Sequence, residues 1–260
     1  MTNADTAPSI VLSVRGLRLT ESSLAIDADI FEGEIVGLAG LEGHGQQRFL
    51  ETLCGLHQPV AGTVETHLPH GARVRISDQQ CASRAGIAYV PRERKTEGIF
   101  PALTVLDNFA IATLRSTARL GFLNKRAQRK QLASFRERLS IVFAAPHAPI
   151  TSLSGGNQQK LLLARWLAAN PRIMLLNDPT RGVDVQTKTK LYQVFREMAQ
   201  QERRTLVLLS TEIDELLQLC DRTLVFREGN LFAELSHSSI SRATVIAAMF
   251  GRENDDQGIR

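Results

Sequence analysis

A chain of 260 residues can bury a sizeable core, and 43% hydrophobic with 22% charged residues is the balance of an ordinary globular protein. No run approaches the roughly 20 apolar residues that span a bilayer, and residues 1–8 lack the basic start and apolar stretch of a secretory signal. A cytoplasmic chain is expected, held at a membrane only through a partner. The formal charge of +4 suits a nucleotide, an anionic lipid or a nucleic acid, while two Tyr and one Trp leave little for stacking single-stranded bases. Cys54, Cys81 and Cys220 are odd in number and lack metal-type spacing, so they read as reduced thiols.

Residues 10–35 alternate apolar and polar positions between turn residues, which predicts antiparallel strands. Ile35-Val36-Gly37-Leu38-Ala39 is a compact apolar strand that runs through glycines into a helix over 46–54, with Phe49, Leu50, Leu53 and Cys54 on one face and Gly55 at its stop. Residues 63–90 again read as strands. A helical pattern covers 104–143, and its basic stretch, 124–138, reads as a solvated helix face. Then follow a helix over 156–169, a strand over 173–176, a helix over 186–201, a strand over 205–209, a short helix over 213–219 and a strand pair over 223–235. Strand and helix alternate as in an α/β domain with a largely parallel sheet, and the helical middle reads as an insert.

Gly40-Leu41-Glu42-Gly43-His44-Gly45-Gln46-Gln47 occupies the first strand-to-helix turn. Glycines there let several N–H groups converge on phosphate oxygens at the positive end of the helix. Such loops usually close with Lys, which charges the β- and γ-phosphates, and then Ser or Thr, which ligates Mg²⁺. Gln46 and Gln47 stand in those places, so a plain glycine turn and a phosphate loop without its cation both remain open. His44 reads as loop filler.

Leu153-Ser154-Gly155-Gly156-Asn157-Gln158-Gln159-Lys160 offers a hydroxyl and open N–H groups at another positive helix end. Beyond Asn170-Pro171 comes Ile173-Met174-Leu175-Leu176-Asn177-Asp178-Pro179-Thr180-Arg181-Gly182-Val183-Asp184. With Tyr89-Val90-Pro91-Arg92-Glu93-Arg94-Lys95, these runs make the chain resemble the ATP-binding cassette family over nearly its whole length. The resemblance is strongest to the C-terminal cassette of ribose, galactose or xylose importer ATPases.

The resemblance implies an α/β nucleotide-binding domain with a mostly parallel P-loop core, an antiparallel β subdomain and a helical insert. One domain would cover 1–260, with its core at 1–98 and 150–250, the insert at about 99–149 and a polar tail at 251–260. It further implies two cassettes packed head to tail, each ATP lying on one glycine loop (Gly40, Gly43, Gly45, Gln46, Gln47 here) and under the other cassette's signature (Ser154, Gly155, Gly156, Gln158 here). Asp184 would reach across the pair, or cap its own helix. Pro91 and Arg92 fall in the neighbourhood where a γ-phosphate-sensing Gln is usual, and Glu93 beside them is a further candidate site residue. The stretch from Arg94 and Lys95 to Val105 would contact a membrane subunit, or be a basic surface loop.

Against the family pattern, Asn177 stands at the Mg²⁺-associated Asp and Asp178 at the general-base Glu, unless the register slips by one and makes Asp178 the metal ligand. Gln47, Asn177 and Asp178 are thus the weak Mg²⁺ candidates. Thr211 holds the switch position that is commonly His, and no aromatic residue lies between Val11 and Leu24 to stack on adenine. These departures predict negligible hydrolysis at the chain's own loop and an asymmetric pairing. A partner cassette with intact motifs (or a second copy) would hold ATP and Mg²⁺ and receive Ser154 to Gly156. Permease subunits and, indirectly, a solute-binding protein would complete an importer at the cytoplasmic face of the membrane, with no nucleic acid involved. The alternatives are a regulatory cassette that only completes a partner, and a soluble cassette of DNA repair or translation, which would show long coiled coils or a charged linker.

Overall fold

The computed structural model describes residues 9–114, 118–119 and 122–252, with backbone alone at 118, 119 and 122. Residues 1–8, read above for targeting, and most of the expected polar tail lie outside that range. The described residues fall into two compact units: 9–89, 172–177 and 196–252 form the first, 90–171 and 178–195 the second.

The first unit opens with antiparallel strands β1 (Ile10–Arg18) and β2 (Ile26–Phe31), which pair through Val14 opposite Ala28. β3 (Ile35–Gly40) leads into α1 (Gln46–Leu53), and β4 (Ala61–His67) returns to the other edge of β1, setting Val64 opposite Val14. β5 (Arg73–Arg75) completes this sheet in the order β2-β1-β4-β5. After a helix α2 (Gln79–Arg84) comes β6 (Ile87–Val90).

The second sheet gathers strands that are far apart in the chain. β9 (Ile173–Asn177), β10 (Thr205–Leu209), β11 (Arg222–Arg227) and β12 (Asn230–Ser236) join β3 and β6 in the order β12-β11-β3-β10-β9-β6. β11, β3, β10 and β9 run parallel, and β12 closes a hairpin on β11. All five residues of β9 and of β10 are buried, as a strand covered on both faces requires. α7 (Ile213–Leu219) and α8 (Arg242–Met249) belong to this unit, the latter begun by a capping box at Ser241 and Thr244. One core runs through the unit, from Leu12, Val14 and Ile30 to Leu38, Phe49 and Phe226, with the Phe49 and Phe226 rings 5.0 Å apart.

The second unit is mainly helical. Thr104 caps α3 (Val105–Ala110), Asn124 caps α4 (Lys125–Arg138), and Ser154 caps α5 (Gly155–Ala168). β7 (Ala118–Arg119) and β8 (Phe122–Leu123) form a short ribbon ahead of α4, and α6 (Val185–Gln200) starts in this unit. Arg165 of α5 is buried, and burial pulls its guanidinium down to about 10. It donates to the Asn108 carbonyl at 2.6 Å, to Asn108 Oδ1 at 3.0 Å and to the Gly98 carbonyl, and stacks over Phe100, so a cation anchors two backbone segments to α5.

Two expectations need correction. The stretch 63–90 is not all strand, because the Asp78 carboxylate accepts from Cys81 N at 2.8 Å and starts α2. The stretch 104–143 is not all helix, because the β7–β8 ribbon interrupts it.

Cys54 and Cys220 are buried, and burial pushes the Cys54 thiol up to about 12 and Cys220 well above its usual value; Cys81 is only half-buried. At pH 8 a thiol reagent should therefore modify Cys81 in the native protein and reach Cys54 and Cys220 only after unfolding, which a disulfide-exchange titration with and without denaturant reads directly.

Candidate functional site

β3 is buried from Ile35 to Ala39 and ends at Gly40, where the backbone turns back into α1. Gly43 and Gly45 take φ of +83° and +105°, a region that only glycine enters at little cost. Gly45 is the helix cap and brings no capping side chain. The first bond of α1 runs from Phe49 N to the Gly45 carbonyl at 2.8 Å, so the N–H groups of Gln46, Gln47 and Arg48 precede it and stay open at the positive helix end. The β11–β12 turn supports the loop from behind, Gly229 N donating to the His44 carbonyl at 3.0 Å. His44 thus contributes backbone to the loop, and its Nδ1 is buried without a hydrogen bond.

Gln46 is 8% exposed and folds back under the loop. Its amide donates to the carbonyls of Gly40 at 3.1 Å and Leu41 at 2.9 Å, while its Oε1 is buried with no hydrogen bond. The amide ties the loop to itself as an ammonium could, but it adds no charge. Gln47 is exposed and donates along the helix to Glu51 at 2.8 Å. Asn177 ends β9 at 1% exposure and donates to the Tyr89 hydroxyl at 3.1 Å, which donates in turn to Glu51 at 3.5 Å. His57 Nε2 lies 3.0 Å from the other Glu51 oxygen.

Asn177, Tyr89, Glu51 and Gln47 therefore form one polar chain, in which Glu51 was not singled out from sequence. Its signal was the i, i+4 spacing from Gln47 on an exposed helix face. Two neutral amides suit a hard divalent cation poorly, and no cluster of three or more His, Cys, Asp or Glu that could hold a metal occurs among the described residues. The loop fits a phosphate by its backbone; its side chains do not fit Mg²⁺. Thr211 is exposed just beyond β10, beside the Ser210 hydroxyl that accepts from Glu212 N at 3.0 Å.

In the second unit, Ser154 Oγ accepts from Asn157 N at 3.4 Å and from the Asn157 amide at 3.0 Å. The first bond of α5 is Gln158 N to the Ser154 carbonyl at 2.9 Å, which leaves the Gly155 and Gly156 N–H groups ahead of it. Gln158 points inward and donates to the Leu153 carbonyl at 3.2 Å and the Ile150 carbonyl at 3.4 Å, fixing the approach to the helix. Gln159 donates to the Pro179 carbonyl, and Arg94 donates to Gln159 Oε1 at 3.5 Å.

Arg94 leans over the helix start closely enough that a Cβ on Gly155 would lie 3.0 Å from its Nη2. Burial lowers its pKa, and the nearby Glu93 partly offsets this. Lys95 is exposed. Arg92 Nε lies 3.1 Å from Asp178 Oδ2, and Asp178 holds a left-handed φ of +45° at 4% exposure. Glu93 pairs with Arg181. Asp184 accepts from Thr187 N at 2.9 Å, which starts α6 and holds its carboxyl below the usual range; a Cβ on Gly156 would lie 3.7 Å from its Oδ2. The second unit so brings together Ser154 to Gln158, Arg92 to Arg94, Asp178 and Asp184, whereas Gly40 to Gln47, Asn177 and Thr211 belong to the first.

A mostly parallel sheet with a glycine turn after its first strand, plus a Ser-Gly-Gly helix start, defines an ATP-binding cassette. A family model for ABC transporters matches residues 24–181, and the chain belongs to that family. It is similar to the ribose import ATP-binding protein RbsA 1 of Rhizobium johnstonii, 38% identical over 94% of this chain and 48% of that protein. It is also 35% identical to the ribose import ATP-binding protein RbsA 2 of Streptomyces avermitilis, over 95% of this chain and 48% of that protein. The chain thus spans about half the length of the curated relatives it matches. Among solved structures, the dimeric ATP-binding cassette MJ0796, in a post-hydrolysis state bound to ADP and Pi, has the same fold, with a TM-score of 0.73 at 22% identity over 87% of this chain and 98% of that one.

A Cβ on Gly45 would lie 3.0 Å from Gly229 Cα, in a backbone conformation that L side chains rarely adopt. Gly45→Ala is expected to destabilise the protein by about 1–3 kcal/mol, measured as a lower urea midpoint at unchanged slope.

Proposed function

We propose that this chain is an ATP-binding part of an ABC importer for ribose or a similar sugar, and that it lends the start of α5 to the ATP site of a second cassette. The family and the names of the relatives support the importer and its substrate class. The observation that carries the signature's role is the open helix tip: two glycine N–H groups precede the first helical bond of α5, beside the half-buried Arg94 guanidinium. Ser154 Oγ accepts from Asn157, so its O–H remains available to donate. Three donors and a positive helix end would then meet the terminal phosphate of an ATP held by the other cassette, where developing charge is stabilised without reorganisation.

The chain's own glycine loop holds a nucleotide by backbone N–H groups and hydrolyses it negligibly. The neutral Gln46, Gln47 and Asn177 support this reading, since phosphoryl transfer depends on cations placed around the γ-phosphate. Asp178, the residual carboxylate, is ion-paired to Arg92. No step at this loop is assigned to Mg²⁺. ATP and Mg²⁺ act at the second cassette, permease subunits transmit the closure, and a solute-binding protein delivers the sugar. The relatives' names as import ATP-binding proteins support a peripheral place on the cytoplasmic side of the membrane; no helix among the described residues is long and apolar enough to cross a membrane.

ATP turnover by the chain alone and with a second cassette tests the scheme. The chain alone should be near background. Gly155→Asp sets a carboxylate beside Arg94 at a helix start, where it keeps the fold and occupies the anion's place. The turnover of the pair should then fall by about 100-fold or more. Strong turnover by the isolated chain, or an unchanged rate for the Gly155→Asp pair, overturns the proposal.

A further inference from the structure

α4 begins with Lys125, Arg126, Arg129 and Lys130, and its first turn holds no acidic residue. Cations are placed unfavourably there, because a helix start is already the positive end of the backbone dipole. A helix that merely faces water commonly interleaves both signs in i, i+4 pairs. Here the lone carboxylate, Glu137, lies near the opposite end. Lys125 is paired with Asp107 at 2.9 Å. Arg126, Arg129 and Lys130 are exposed, share one helical face, and make no hydrogen bond or ion pair among the described residues, while Gln128 and Leu132 are buried.

Two further features adjoin this face. Leu123, just ahead of the helix, is 43% exposed. A cavity of about 430 Å³ opens beside the helix start, with Thr104, Asp107, Lys125, Arg129 and His147 in its lining. An unpaired basic face next to an exposed apolar residue has the chemistry of a surface that meets lipid headgroups.

We propose that the Arg126, Arg129 and Lys130 face of α4 docks on an anionic bilayer surface, with Leu123 entering the interface. The exposed apolar side chain favours lipid over an acidic protein segment, which would match the charge alone. This inference rests on membership of a transporter family and not on the ATP scheme, so failure of one leaves the other standing.

The full chain is incubated with vesicles of phosphatidylcholine alone or with about one third phosphatidylglycerol, at low and high salt, and bound protein is measured by co-sedimentation. Binding should require phosphatidylglycerol and weaken at high salt. The triple variant Arg126→Gln/Arg129→Gln/Lys130→Gln should bind about 100-fold more weakly, about fivefold for each cation lost. A control of equal charge change on the other unit, Arg73→Gln/Arg75→Gln/Arg84→Gln, should bind as the parent protein does. Should the triple variant fail to fold, Arg126→Gln and Lys130→Gln singly read the same effect at about fivefold each. Equal binding to both lipid mixtures, equal losses in helix and control variants, or binding of polyglutamate without binding of vesicles each overturns the proposal.

Discussion

Strands β3, β10 and β9 lie side by side in the interior of a parallel sheet, and a strand covered on both faces can carry polar groups only where it emerges. This constraint places the chemistry of the first unit. β3 is apolar until Gly40, β9 until Asn177, and β10 runs to Leu209 before Ser210 and Thr211. All three emerge at their carboxyl ends, where a parallel arrangement collects loops and helix starts and where ligands of open α/β sheets bind. The polar chain from Asn177 through Tyr89 and Glu51 to Gln47 lies at that rim.

Two helix starts answer the problem of unsatisfied N–H groups differently. α1 begins at a glycine with no side chain, so its first-turn donors depend on whatever sits in the loop, and Gln46 closes the loop's own carbonyls from beneath. α5 begins at Ser154, whose hydroxyl oxygen takes up Asn157 and leaves only the two glycine N–H groups open. The first is a broad backbone cradle without a cation. The second is a narrow tip with one, because Arg94 lies across it and no side chain at Gly155 stands in the way.

The second unit is held by charges set among carbonyls. Arg165 has three backbone or amide acceptors and no carboxylate among its hydrogen-bond partners, so it fixes 98–108 against α5 through donor geometry rather than charge pairing. Around the tip, Arg92 with Asp178 and Arg181 with Glu93 tie the segment after β6 to the segment after β9, and Gln159 with both Arg94 and Pro179 ties them to α5. A buried guanidinium that loses its acceptors is strongly destabilising, so Arg165 holds α5 in one position relative to 98–108.

Local backbone demands were legible in the sequence, because the residues that meet them are neighbours. Gly43 and Gly45 announce a turn that needs positive φ, Ser154 ahead of two glycines announces an open helix start, and the apolar runs at 35–39 and 205–209 announce buried strands. The α/β cassette fold and its family followed from those runs. Other features had no neighbour to announce them: Arg94 over Gly155, Tyr89 between Asn177 and Glu51, and Arg92 against Asp178. Each joins residues distant in the chain, and each exists because β6 lies beside β9, or because α5 packs on the segments beside it. Spacing in sequence encodes the period of a helix or strand; which surfaces then meet is decided by strand order and packing, and only the folded chain records that.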